Sequence, residues 1–188
     1  MSLSRTRALA AASAVALTLV VPSGIGSASS DPAPDPKETH CVVDVVGEKP
    51  DGEFIVGEPR CYPTFSLAVA DASNGTVRIP ADSTGDILFR DSSVAGALST
   101  FTLGTHYDGY GGSGSSISVV GSSCGGGYWN TGTSWRNRIS STYNGCGRLR
   151  HYDNPNKGGS SQNTYGAGTT DNLSVLNNRT ESVSYHSG

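Results

Sequence analysis

Apolar β-branched residues run almost unbroken from Cys41 to Val46, a pattern that predicts a buried strand. The period changes between Pro63 and Asn74. There Phe65, Leu67, Ala68 and Ala72 recur near helical spacing, behind Thr64, which can cap, and ahead of Asn74-Gly75, which can end the turn. A helix is predicted, then a strand over Thr76–Ile79 that Pro80 closes. Residues 41–98 therefore read as a small α+β segment with a thin core of its own. Beyond Gly96 the texture becomes alternating, as in Ser116-Ile117-Ser118-Val119, and clusters of glycine separate the alternating runs. That is the grammar of hairpins, and it predicts an all-β region over 99–188.

The same region is written twice. Phe101-Thr-Leu-Gly-Thr-His106-Tyr107-Asp108, then Gly111 to Ser115, returns as Gly147-Arg-Leu-Arg-His151-Tyr152-Asp153, then Gly158 to Ser161. Further on, Asn137-Arg138-Ile139-Ser140-Ser141 returns as Asn178-Arg179-Thr180-Glu181-Ser182. Two signals repeated in the same order predict a duplicated supersecondary unit. Two such units would close over one shared apolar layer that neither could bury alone. His106 and His151 then read as strand residues beside packing tyrosines, not as ligands.

Composition changes the picture at the N-terminus. Arg5 and Arg7, the apolar run Ala8–Val21 and the small residues Gly26-Ser27-Ala28 together read as a signal peptide over 1–28. Asp31-Pro-Ala-Pro-Asp-Pro follows, a proline-punctuated stretch suited to neither helix nor central strand, so 29–40 reads as a flexible linker. The mature protein is expected outside the cell and off the membrane. In that setting Cys41, Cys61, Cys124 and Cys146 read as two disulfides, for which three pairings are possible. Pairing 41 with 61 and 124 with 146 keeps each bridge within its own segment, each closing a loop worth about 3 kcal/mol in the chain-entropy model. No pair has the CxxC spacing of a zinc site.

The formal charge of -3 hides an asymmetry: 12 acidic and 5 basic residues from Ser29 to Thr100, against 4 acidic and 6 basic from Phe101 onward. Neither half has the dense basic face that nucleic acid requires. Gly121-Ser122-Ser123-Cys124-Gly125 matches a nucleophile-elbow pattern, but no strand-to-helix turn of an α/β sheet is predicted around it. No nucleophile, base and orienting group can be placed together, so a catalyst is not expected.

An aromatic followed at fixed spacing by glycine and then serine, as in Tyr107, Gly114, Ser115 and Tyr152, Gly159, Ser160, resembles the Greek-key signature of the βγ-crystallins. The inner aromatic of that signature is replaced by Gly112 and Lys157. The resemblance covers 99–188 and implies two Greek-key motifs forming a β-sandwich. It also implies calcium bound by stretches of asparagine, aspartate, serine and threonine. Here those stretches are Arg136–Ser141 and Asn177–Ser182, with Asn137, Ser140, Ser141, Asn177, Asn178, Glu181 and Ser182 as candidate ligands. Arg136 and Glu181 depart from the pattern. The chain is similar as well to the secreted metalloproteinase inhibitors of streptomycetes and to killer-toxin-like proteins. Those resemblances imply a monomeric secreted binding protein, either an inhibitor with an extracellular peptidase as partner or an extracellular structural or stability protein, with a calcium-binding crystallin and an antimicrobial toxin as the alternatives. The segment from Gly121 to Gly145 is then the candidate docking element, with Tyr128, Trp129 and Trp135 as its candidate partner-binding residues.

Overall fold

The computed structural model describes residues 38–188. The expected signal peptide and most of the expected linker lie outside the described residues. Where the linker was expected to run to residue 40, β1 (His40–Glu48) already begins.

β1 is lined on one side by two short antiparallel strands. β3 (Arg60–Tyr62) pairs with its first half and β2 (Phe54–Val56) with its second. Cys41 and Cys61 face each other in the β1–β3 register and are bridged. The predicted helix is α1 (Phe65–Ala72), whose Leu67 amide donates to the Thr64 hydroxyl at 3.4 Å. The predicted strand over 76–79 does not form. Val77 is buried, and its amide donates at 3.0 Å to the Ser73 hydroxyl, so a side chain meets the need that a ladder would otherwise serve. Two further short helices follow, α2 (Ile87–Arg90) and α3 (Ser92–Leu98), the latter capped by Asp91, which accepts from the Ser93 and Val94 amides.

The rest is β-rich, as the alternation predicts: β4 (Thr102–Tyr107), β5 (Ser116–Val120), β6 (Gly125–Asn130), β7 (Ser141–Asn144), β8 (Arg148–Asn154), β9 (Gly158–Tyr165), β10 (Thr169–Asn172) and β11 (Ser182–His186). One short helix, α4 (Gly132–Trp135), interrupts them. The strands form two sheets. The first runs β10-β7-β4-β5-β1-β2, with β3 also on β1; the second runs β6-β11-β8-β9. Divided into β4–β7 and β8–β11, the duplicated halves exchange strands. Each half keeps its first, second and fourth strands and sends its third, β6 or β10, to pair with the fourth strand of the other. Neither half can therefore be removed without opening both sheets. Between them lies one core that includes Val43, Leu103, Ile117, Trp129, Leu149, Leu173, Val183 and Tyr185.

The 41–98 and 99–188 segments share a sheet. β1 runs parallel to β5, with Cys41 opposite Ile117 and Val43 opposite Val119. The helices form a second apolar cluster, in which Phe65, Val69, Leu88 and Leu98 pack with Tyr107 and Tyr143. Tyr107 and Tyr143 lie on β4 and β7, so the helices shield those strands. This explains a difference between the halves: all six residues of β4 are buried, while its counterpart β8 alternates between buried and partly exposed. Among the described residues, no helix is long and apolar enough to cross a membrane.

Candidate functional site

The repeated letters occupy equivalent places. Gly114 and Gly159 both sit at positive φ, 76° and 74°, where glycine alone is unstrained. A Cβ at either would overlap the carboxylate of Asp108 or Asp153, respectively. Tyr107 and Tyr152 are both buried at the ends of their hairpins.

The two stretches expected to hold calcium lie against each other and against these hairpins. The Asn137 amide donates to the Thr180 carbonyl and the Asn178 amide to the Ile139 carbonyl, each at 2.9 Å, with both asparagines left-handed. Ser140 and Glu181 donate their amides to the carbonyls of Tyr107 and Tyr152, each at 2.8 Å. The Ser141 hydroxyl donates to the Gly109 carbonyl and accepts from the Gly112 amide; the Ser182 hydroxyl does the same with Asn154 and Lys157. Each half also carries an ion pair, Arg138–Asp108 at 2.7 Å and Arg179–Asp153 at 3.1 Å.

The departures from the motif are bonded as well. Glu181 accepts from the Asn137 side chain at 3.2 Å and pairs with Arg136 at 3.4 Å. Ser140 lies within reach of the Asp108 carbonyl and of the Asn178 side chain, while the buried side-chain oxygen of Asn177 has no partner. The structure brings the two stretches together, and the arginine that follows the asparagine in each, to which sequence reasoning gave no role, reaches a carboxylate. Its cation occupies the carboxylate nearest to the clasp. Among the described residues, no cluster of three or more His, Cys, Asp or Glu side chains is placed to hold a metal ion.

Both expected disulfides are formed, Cys41–Cys61 and Cys124–Cys146. The second ties the loop before β6 to the turn after β7, fixing both ends of the 121–145 segment. Its aromatics do not form an exposed face: Tyr128, Trp129 and Trp135 are 2%, 5% and 5% exposed. Burial of this kind is what large aromatics gain most from. Tyr128 instead lies beneath Lys157, whose ammonium is 4.5 Å from the ring centre. Ser123, from the elbow-like pattern, is exposed in the loop between β5 and β6, with a strand after it and no helix.

The two tryptophans do reach a site. Where β1 extends the first sheet past β5, a cleft of about 530 Å³ opens between β1 and β5 on one side and β6 with α4 on the other. Val43 and Ile117 line it, the Cys41–Cys61 bridge and Pro59 form one wall, and Trp129 and Trp135 form the opposite one. Among the described residues Arg138 is the only charged side chain in the lining; it is paired with Asp108, and its guanidinium carbon lies 5.0 Å from the Trp135 ring centre. Thr39, Ser115, Asn130, Thr131 and Ser134 also line it, so apolar walls carry polar groups that can fix a ligand's orientation. No short sequence signal could have revealed this cleft. It depends on the parallel pairing of β1 with β5, whose partners are 76 residues apart.

Between the sheets lies a polar pair. His106 and His151 meet edge to face with ring centres 5.5 Å apart, both fully buried. His106 bonds Tyr185 at 3.0 Å and Thr142 at 2.9 Å, whereas the ring nitrogens of His151 have no partner of hydrogen-bonding geometry. Burial holds His106 well below its ordinary pKa, with the neighbouring imidazole adding to the effect; burial takes His151 down to about 3, partly opposed by the Gln162 backbone.

Comparison with protein-family models, with curated proteins and with solved structures finds no match.

Proposed function

We propose that this chain is an exported βγ-crystallin-like binding module that grips an extended segment of an extracellular partner, with a peptidase as the partner class. The observation that carries the reading is the cleft: lined by apolar and hydrogen-bonding side chains, walled by a disulfide, and bordered by the exposed turn of α4, whose segment is tied down at both ends. A stiff surface loses little entropy on docking. The exchange of β6 and β10 between the halves, together with the paired glycines and serines, supports the Greek-key kinship. Two disulfides are compatible with an oxidising compartment.

Titration against a thermolysin-like metallopeptidase and a serine peptidase tests the proposal. Inhibition at micromolar protein is expected, and Ser134→Arg, which crowds the exposed rim without touching the core, should weaken it about tenfold, or ~1.4 kcal/mol. If neither enzyme is inhibited at micromolar protein, the peptidase reading is lost.

Calcium binding is the alternative reading, and the buried, unpartnered oxygen of Asn177 favours it. An ion at either stretch would have to break serine–backbone bonds and face Arg138 or Arg179 within the same clasp. Hard cations need several free oxygens. The expected result is no heat and no melting shift on adding millimolar calcium, and a saturable shift would establish the alternative.

A further inference from the structure

The outer face of the second sheet carries cations that no carboxylate neutralises. Leu149 and His151 turn into the core, so alternation along β8 sends Arg148 and Arg150 to the opposite face. In register, Arg148 lies between Tyr165 on β9 and His186 on β11, and Arg150 between Asn163 and Ser184. Among the described residues, neither arginine forms an ion pair, and nor does Lys157. The carboxylate on the same strand, Asp153, is taken by Arg179. The Nε of Arg148 is buried without a hydrogen-bond partner, while that of Arg150 donates at 3.0 Å to the Ser161 hydroxyl, which leaves its charge unpaired. His186 registers the common field: its pKa is held down first by burial and then by Arg148, Lys157 and Arg150. We propose that this face binds an acidic polysaccharide, with Tyr165 stacking against a sugar ring and Arg148 and Arg150 receiving carboxylates of the chain. The site is separate from the cleft, whose lining includes none of these residues.

Three features select a glycan. Tyr165 is 65% exposed, yet its hydroxyl accepts from the Asn163 side chain at 3.1 Å, so the ring is held as a platform with an apolar face for the C–H groups of a pyranose. Arg148 stands directly across the ladder from that ring, about 5 Å away by strand spacing, and Arg150 lies about 7 Å farther along β8. Carboxylates on a stacked sugar and on its neighbour would each meet a guanidinium, whose planar fork matches them. Around these cations Ser161 and Asn163 offer hydrogen bonds. Among the described residues of this sheet, Tyr165 is the only large hydrophobic side chain that is exposed, so a peptide finds no second apolar anchor. Three cations and one ring also fall short of the basic track with repeated stacking platforms that nucleic acid requires.

The test titrates the full chain by calorimetry at low salt with polygalacturonate, its methyl-esterified form, polyglutamate and a single-stranded oligonucleotide. Saturable binding of polygalacturonate is expected, weakening as salt is raised, with the other three polymers at least tenfold weaker, by about the margin that loss of the carboxylates or of the sugar ring would give. Arg148→Gln combined with Arg150→Gln should weaken binding about fivefold. Arg78→Gln combined with Arg90→Gln removes the same charge from exposed positions elsewhere and should leave it unchanged. Tyr165→Ala, at an exposed position that the core does not use, should weaken polygalacturonate about threefold. Absence of binding to polygalacturonate, equal weakening by the two double variants, or parental affinity in Tyr165→Ala overturns the proposal. So does equal affinity for the methyl ester, which would deny the arginines their role. Equal affinity for polyglutamate would assign the face to acidic peptides, and for the oligonucleotide to nucleic acid; either result removes the glycan.

Discussion

Stability is expected to fall steeply as the pH drops below about 6.5. In the unfolded chain His106 and His151 take up protons near the ordinary imidazole value of about 6.5; in the folded protein burial keeps both neutral, His151 down to about 3. The unfolded state therefore binds more protons throughout that window. Stability is fully present above the unfolded pKa and is lost as pH falls toward the folded one. His151 contributes a slope approaching about 1.4 kcal/mol per pH unit, on the order of 2 kcal/mol between about pH 6.5 and pH 4.5, and His106, also held down by burial, acts in the same direction. Domain stabilities are themselves only about 5–15 kcal/mol. His40, lowered mainly by burial against the opposing field of Asp108, acts in the same direction. Urea midpoints measured from neutral to acid pH check this. His151→Leu should reduce the slope and raise stability at mildly acid pH, because it replaces a buried imidazole whose ring nitrogens lack a hydrogen-bond partner with an apolar group. A flat profile, or a slope that His151→Leu leaves intact, would show that the pair is not protected from protons as its burial requires.

Reading from sequence succeeded where the information was local or duplicated. Thr64 before an apolar period gave α1, the cysteine spacing gave both bridges, and Tyr107 with Gly114 and Tyr152 with Gly159 marked equivalent hairpins. It failed where distant segments meet. Thr76–Ile79 looks like a strand, but Ser73 had already satisfied the Val77 amide. The helices α2 and α3 carry weak periodicity, and their order comes from packing on Tyr107 and Tyr143, strands away in the chain. The aromatics Tyr128, Trp129 and Trp135 could have faced solvent or core; β11 beside β6 and the bridge from Glu53 to Tyr128 enclose the first two, and Trp135, on α4, joins the same core as Trp129. The candidate site is the least legible feature, because β1 supplies one wall and β6 with α4 the other.

The point at which the two halves diverge gives the second large effect. Gly112 and Lys157 are equivalent in the repeat; both donate their amides to a serine of the clasp and both are left-handed, with φ of 81° and 61°. Only the first has the backbone of another segment packed against its α-carbon. A Cβ at Gly112 would lie 2.6 Å from the Gly85 backbone and 2.8 Å from the Asp86 nitrogen, atoms that cannot swing aside as a long side chain can. Gly112→Ala should therefore combine the left-handed penalty of roughly 1–2 kcal/mol with displacement of the segment entering α2. A total beyond about 3 kcal/mol is expected, lowering the melting temperature by about 10 °C. Lys157→Gly should be close to neutral. It relieves the left-handed strain but frees the unfolded chain and removes the ammonium above Tyr128. Two copies of one motif thus tolerate opposite residues because the 41–98 segment sets its backbone against the α-carbon of Gly112 but meets only the side-chain end of Lys157. Thermal unfolding of the two variants side by side decides the matter. If Gly112→Ala melts with the parent, the helical segment does not clamp the first half, and the complete burial of β4 would need another cause.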